Sequence, residues 1–172
     1  MNVHDGEDDE TVTAYHESGH AIIGCALGGT IESVSLSQVS AWDDEGTGPH
    51  RFGDCVVNWG RVDPGQKWQQ QKELLTTLAG PVAEFVYLDR DLAEVNPATW
   101  EDDWMVARQL VARLQTDGVQ QSKLLRDAVS RLQHVMADDG CWAAIAALAD
   151  ELTLGDEIEG HRVEELVRFW WR

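Results

Sequence analysis

Thr13-Ala14-Tyr15-His16-Glu17-Ser18-Gly19-His20-Ala21 is the stretch around which the rest of the chain is organised. On an α-helix, residues four apart lie on one face, one turn from each other. His16 and His20 can therefore aim two imidazoles at one point, where zinc accepts nitrogens at about 2.0–2.1 Å. Glu17 is displaced by one residue to the edge of that face, from which a carboxylate can take a proton from a metal-activated water. Val12, Ile23 and Leu27 continue the histidine face at helical spacing, so the pair is expected to point inward. Two imidazoles on an apolar face cost free energy unless something satisfies them, which weighs against an accidental match. Gly19, between the histidines, costs a helix roughly 1 kcal/mol against alanine, and so predicts the close approach of another element.

The composition sets the frame for this helix. A chain of 172 residues with 43% hydrophobic residues is long enough for one domain with a sizeable core. Its net charge of −18, from 31 acidic and 13 basic residues, is a poor surface for nucleic acid or anionic membrane, whose binding rests on phosphate neutralisation. No apolar run approaches the roughly 18 residues of a membrane span, and the N-terminus has no signal-peptide pattern. Cys25, Cys55 and Cys141 are odd in number and widely spaced, which argues against a disulfide framework or a thiolate metal site and makes the cytoplasm the expected compartment.

Along the chain, residues 1–10 read as a flexible acidic N-terminus and 11–172 as a single domain. The first helix is expected from about Thr11 to Leu27, closed by Gly28-Gly29. Strands follow over Thr30–Val39 and about Phe52–Trp59, separated by a turn-rich loop that contains His50. They predict a small antiparallel sheet against the histidine helix. An open edge beside the metal could take a peptide backbone by strand addition; a covered hairpin with no such role is the alternative. A helical region over Gln66–Asp89 is interrupted by Gly80-Pro81, which predicts two segments or a kink. Further helices are expected from near Thr99, over Gln120–Ala137, Trp142–Leu152 and Arg162–Trp171, which makes the fold mainly α. His4, His134 and His161 match no ligand spacing. The apolar tip Phe169-Trp170-Trp171 either packs back on the helices or forms a contact surface.

A catalytic zinc usually has three protein ligands and one open position, so a third ligand is needed. Among Glu101, Asp102 and Asp103, helical steps of three, four, seven and eleven single out Asp103, because they lead to Val106, Ala107, Leu110 and Leu114, all apolar. An ionised carboxylate on that face needs a partner such as a metal. Glu101 and Asp102 read as acids complementing the helix dipole. Glu84, among Val82, Ala83, Phe85 and Val86, is either paired, for example with a ligand imidazole in an outer shell, or at the surface edge.

Several of these motifs resemble the peptidase domain of FtsH-type zinc proteases. Thr13–Ala21 closely resembles that family's T-A-Y-H-E-A-G-H-A, and Leu78-Ala-Gly-Pro-Val-Ala-Glu84 its L-A-G-R-A-A-E. Asp103-Trp-Met-Val-Ala107 is similar to its D-L-x-x-A, and Glu151-Leu-Thr-Leu-Gly-Asp-Glu157 to its terminal E-T-L-x-G-E-E. The resemblance implies a helical zinc-endopeptidase domain with a small sheet. It implies His16, His20 and Asp103 as zinc ligands, Glu17 as the acid–base, and the strand through Gly53, Asp54, Cys55 and Val56 as the holder of substrate backbone. Ser18 and Pro81 depart from the family pattern, and the family's membrane spans and ATPase module have no counterpart in these residues.

The expected activity is hydrolysis of peptide bonds in unfolded or flexible polypeptides by zinc-activated water. Nucleic acid and membrane are not expected partners; a homo-oligomer and a separate ATPase are open alternatives. A catalytically silent, peptidase-like binding or adaptor subunit with a structural zinc is the second reading, and a purely structural helical protein that binds no metal is the third.

Overall fold

The computed structural model of the chain describes residues 5–37, 52–90 and 101–171. In order these form α1 (Asp5–Ala26), β1 (Thr30–Ser37), β2 (Phe52–Asn58), α2 (Lys67–Leu88), α3 (Glu101–Leu114), α4 (Gly118–Met136), α5 (Asp139–Gly155), β3 (Glu157–Glu159) and α6 (Gly160–Trp170). The architecture is mainly helical with one three-stranded antiparallel sheet in the order β2-β1-β3. No helix among the described residues is long and apolar enough to cross a membrane.

α1 is the central element and packs on α2, α5, α6 and both longer strands. Ala14, Ala21 and Ile22 are fully buried in it, and Gly19 meets the carbonyl of Ala79 and the methyl of Ala83 on α2. A β-carbon at Gly19 would lie 2.7 Å from the Ala83 Cβ, so glycine is what lets the two helices approach so closely. Tyr15 stacks on Tyr87 of α2 at 4.0 Å and on Trp142 of α5 at 5.4 Å, which joins three helices beside the histidines. The rest of the core comes from α4 to α6, with Leu132, Met136, Ile145, Leu148, Leu152 and Val163 almost wholly buried.

The structure corrects several expectations. α1 begins at Asp5, ahead of the start expected near Thr11, and ends at Ala26. α2 is assigned as one helix with Pro81 inside it, not as two segments. Proline removes one ladder bond, but Leu74, Leu78, Val82 and Phe85 form a continuous buried stripe that holds both halves to the core. β3 was not expected: three residues are too few for an alternating pattern, yet Val34 pairs with Ile158 across β1. At the C-terminus Trp171 packs on the core, while Phe169 and Trp170 are exposed. Cys141 is buried and all three cysteines are free thiols. His134 and His161 lie at the surface, whereas His4, His50 and the strand residues 38–39 lie outside the described residues.

Candidate metal centre

α1 and α3 bring His16, His20 and Asp103 together, with one ligand atom from each within 4.8 Å of the others. His16 Nε2 lies 2.9 Å from Asp103 Oδ2 and 3.1 Å from His20 Nε2. His20 Nε2 lies 3.5 Å from the same Asp103 oxygen. Ligands at about 2.0–2.1 Å in a tetrahedron stand roughly 3.3 Å apart, so this triangle has the size of one tetrahedral face. The donor set of two imidazoles and a carboxylate therefore fits a divalent metal ion.

The outer partners orient both rings. His20 Nδ1–H donates to the carbonyl of Thr76 at 2.8 Å, which leaves its Nε2 lone pair facing the centre. His16 Nδ1–H donates to Glu84 Oε2 at 3.3 Å, so the neutral ring would likewise turn an Nε2 lone pair to the centre. Glu84 is 4% exposed, so of its two alternatives it is the paired one. Thr76 escapes sequence reading because the contact uses a backbone carbonyl, which every residue has.

Asp103 lies where α3 approaches α2, and the face it shares is not quite the one expected. Ala107, Leu110 and Leu114 are buried, but Val106 is 43% exposed and Val111 takes its place inside. At 3.6 residues per turn, a step of three falls about 60° short of a full turn, and here that side faces outward.

Without metal, the cluster is an ion pair. Burial disfavours a charged His16, but its hydrogen bonds to Asp103 and Glu84 outweigh this and raise its pKa from 6.5 to about 10. Burial likewise works against the Asp103 carboxylate, and the two histidines reverse it, holding its pKa well below the ordinary range. Glu17, 7% exposed, has its pKa raised, chiefly by burial, with His20 and His16 pulling the other way. A carboxylate with heightened proton affinity beside a metal-sized cluster has the property a general base needs.

β2 lines the other side of Glu17. Its burial alternates, so Gly53 and Cys55 turn toward α1 while Asp54 and Val56 are exposed. Gly53 abuts the Glu17 carboxyl group. Burial, with Glu17 and Asp54 adding to it, pushes the Cys55 thiol far up, so it stays protonated. Among the described residues β2 pairs with β1 alone and forms one edge of the sheet. The four residues expected to hold a substrate backbone thus divide into two beside Glu17 and two on the outer surface.

No protein-family model matches the chain, and no protein of curated function matches it in sequence.

Proposed function

We propose that this protein is a zinc-dependent peptidase of the FtsH type, cutting unfolded or flexible polypeptides. The observation that carries this reading is the triangle of His16 Nε2, His20 Nε2 and Asp103 Oδ2, sized for one face of a tetrahedron, with the buried Glu17 carboxylate next to it. Zinc held by these three residues would supply Lewis acidity toward a water and a peptide carbonyl. Glu84 and the Thr76 carbonyl hold the Nδ1 protons, so that the neutral rings would offer both Nε2 lone pairs to the metal. Glu17 takes the proton of the attacking water and passes it to the leaving amine, a task its raised proton affinity suits. The backbone of β2, at a sheet edge beside Glu17, provides N–H and C=O groups for an extended substrate strand.

Zinc content per chain and hydrolysis of unfolded casein, measured before and after Glu17→Gln, test the proposal. About one zinc per chain in both proteins is expected, with hydrolysis falling by about 100-fold or more in the variant. A metal-free wild-type protein, or unchanged hydrolysis in Glu17→Gln, overturns it. Stoichiometric zinc without turnover in the wild type selects the adaptor reading instead.

A further inference from the structure

Glycine at positions 53 and 80 is not explained by the backbone. The positive-φ glycines of the described chain are Gly28, at φ 95°, and Gly60, at φ 68°. Gly80 lies inside the α2 helix and Gly53 inside the β2 strand, where alanine is sterically acceptable and glycine weakens the element. What distinguishes both is the space their missing β-carbons leave. A Cβ on Gly80 would press on His20 Nε2, and would lie 2.6 Å from His20 Cε1 and 2.8 Å from His16 Nε2. Those nitrogens are the two atoms 3.1 Å apart that converge on the metal position. A Cβ on Gly53 would overlap Cγ, Cδ and Oε1 of Glu17. The two glycines therefore face the two working parts of the motif from different elements.

We propose that Gly80 and Gly53 are positioning residues of this centre: Gly80 clears the space into which the two imidazole tips converge, and Gly53 clears the seat of the Glu17 carboxylate. The inference rests on the metal reading above. Its distinctive feature is the kind of atom met in each case. At Gly19 a side chain would strike the Ala79 carbonyl, fixed backbone of a packed helix, so substitution there separates two helices. At Gly80 and Gly53 the three nearest atoms it would strike all belong to side chains, those of His16, His20 and Glu17. Side chains can shift where the backbone of a packed helix cannot, so the fold survives the added methyl while the site loses its geometry.

Gly80→Ala, Gly53→Ala and a control, Gly155→Ala, whose added Cβ meets nothing within 4 Å among the described residues, separate these effects. Zinc affinity is read by competition with a chromophoric chelator, and stability from melting of the zinc-free chains. Gly80→Ala should weaken zinc binding by about 100-fold or more while melting at or above the wild-type temperature. Gly53→Ala should keep wild-type zinc affinity and lose about 100-fold in kcat on unfolded casein, with KM little changed. Its steric origin is read without activity: Gly53→Ala should lower the melting temperature of the wild type but not of Glu17→Ala, where the collision is gone.

Wild-type zinc affinity in Gly80→Ala, or an equal melting penalty for Gly53→Ala in both backgrounds, overturns the corresponding half. Loss of cooperative melting in Gly80→Ala but not in Gly155→Ala assigns Gly80 to helix packing and also overturns it. A wild-type chain that takes up no zinc defeats the metal reading, and Gly80's role with it; the Gly53–Glu17 cycle, run on zinc-free protein, still decides the other half.

Discussion

On α1 and α2 the protein buries Thr13, Glu17, Ser18, Gln69, Gln70, Thr76 and Glu84, and these are all the buried polar and charged residues among those described. Across α4, α5 and α6 the buried side chains are apolar: Ala128, Val129, Leu132 and Met136, then Cys141, Ala144, Ile145, Leu148, Ala149 and Leu152, then Val163 and Leu166. Both regions are close-packed, but on different terms. A buried polar group contributes little net stability when paired and costs free energy when not. If the proposed function holds, the α1–α2 layer carries the chemistry at some cost, and the α4–α6 layer supplies stability to hold it. One region should lose function without unfolding when mutated, the other should unfold.

The sharpest way to break this division is to exchange the two phenotypes. His20→Ala removes one corner of the ligand triangle and should abolish stoichiometric zinc binding, with far-UV circular dichroism unchanged. Leu148→Ala, at a site with no solvent exposure, should cost about 2–5 kcal/mol in urea unfolding of the zinc-free chain. Its surviving folded fraction should still bind zinc. A Leu148→Ala chain with full stability, or a His20→Ala chain that retains zinc, would mean the two regions are not specialised as described.

Next in size is the response to metal and pH, which should have opposite signs in the two forms. His16 has its pKa raised to about 10 in the metal-free fold by Asp103 and Glu84, against the opposing effect of burial. A group whose proton is held more tightly in the folded state stabilises it fully below its unfolded pKa, about 6.5. That contribution fades as pH rises from there toward 10. Zinc needs neutral imidazoles, so its stabilisation grows over the same interval as proton competition falls. At a free zinc concentration about 1,000 times Kd the increment is about 4 kcal/mol. Differential melting with and without zinc between pH 6.5 and 10 should thus show a widening gap. A gap that narrows with pH would contradict the ligand assignment.

Glu84 offers a finer probe of the same layer. It touches no metal position, but it fixes the His16 tautomer through Nδ1. Glu84→Gln can donate as well as accept and so holds that tautomer less firmly; zinc affinity should fall by about 10–100-fold. An unchanged affinity by chelator competition would reduce Glu84 to a bystander in the helix interface.

How much of this was legible in sequence follows the same line between side chains and backbone. The grouping of His16, His20 and Asp103 was readable because the two histidines stand one turn apart on one helix face, with Glu17 at its edge, and because Asp103 stood on an apolar face. The α4–α6 helices announced themselves through stripes such as Val129, Leu132 and Met136. The Thr76 carbonyl was invisible because a backbone acceptor carries no residue signature. β3 was too short to have a period, and its place is set by pairing with β1, distant in sequence. The exposure of Val106 depends on the rotation of α3 against α2, which tertiary packing sets. Pro81 was read by its local effect alone, whereas buried residues on both sides of it keep α2 together.

The smallest predicted effect concerns Ser18, which lies within the His-Glu-x-x-His segment yet faces away from its chemistry. Its side chain is fully buried and its hydroxyl has no hydrogen-bond partner among the described residues. An unsatisfied buried hydroxyl costs about 1–3 kcal/mol, and serine is a weaker helix former than alanine. Ser18→Ala removes the hydroxyl and leaves a space of one atom, which offsets part of the gain. The net should be a stabilisation of about 1 kcal/mol in urea unfolding, with zinc affinity unchanged. A loss of stability would show that the hydroxyl is satisfied in solution, by an enclosed water for instance, and that the α1–α2 layer pays less for its polar groups than the comparison with α4–α6 implies. A gain with unaltered zinc binding would show that even within the motif the cost of burying polarity can be separated, residue by residue, from the geometry proposed to hold the metal.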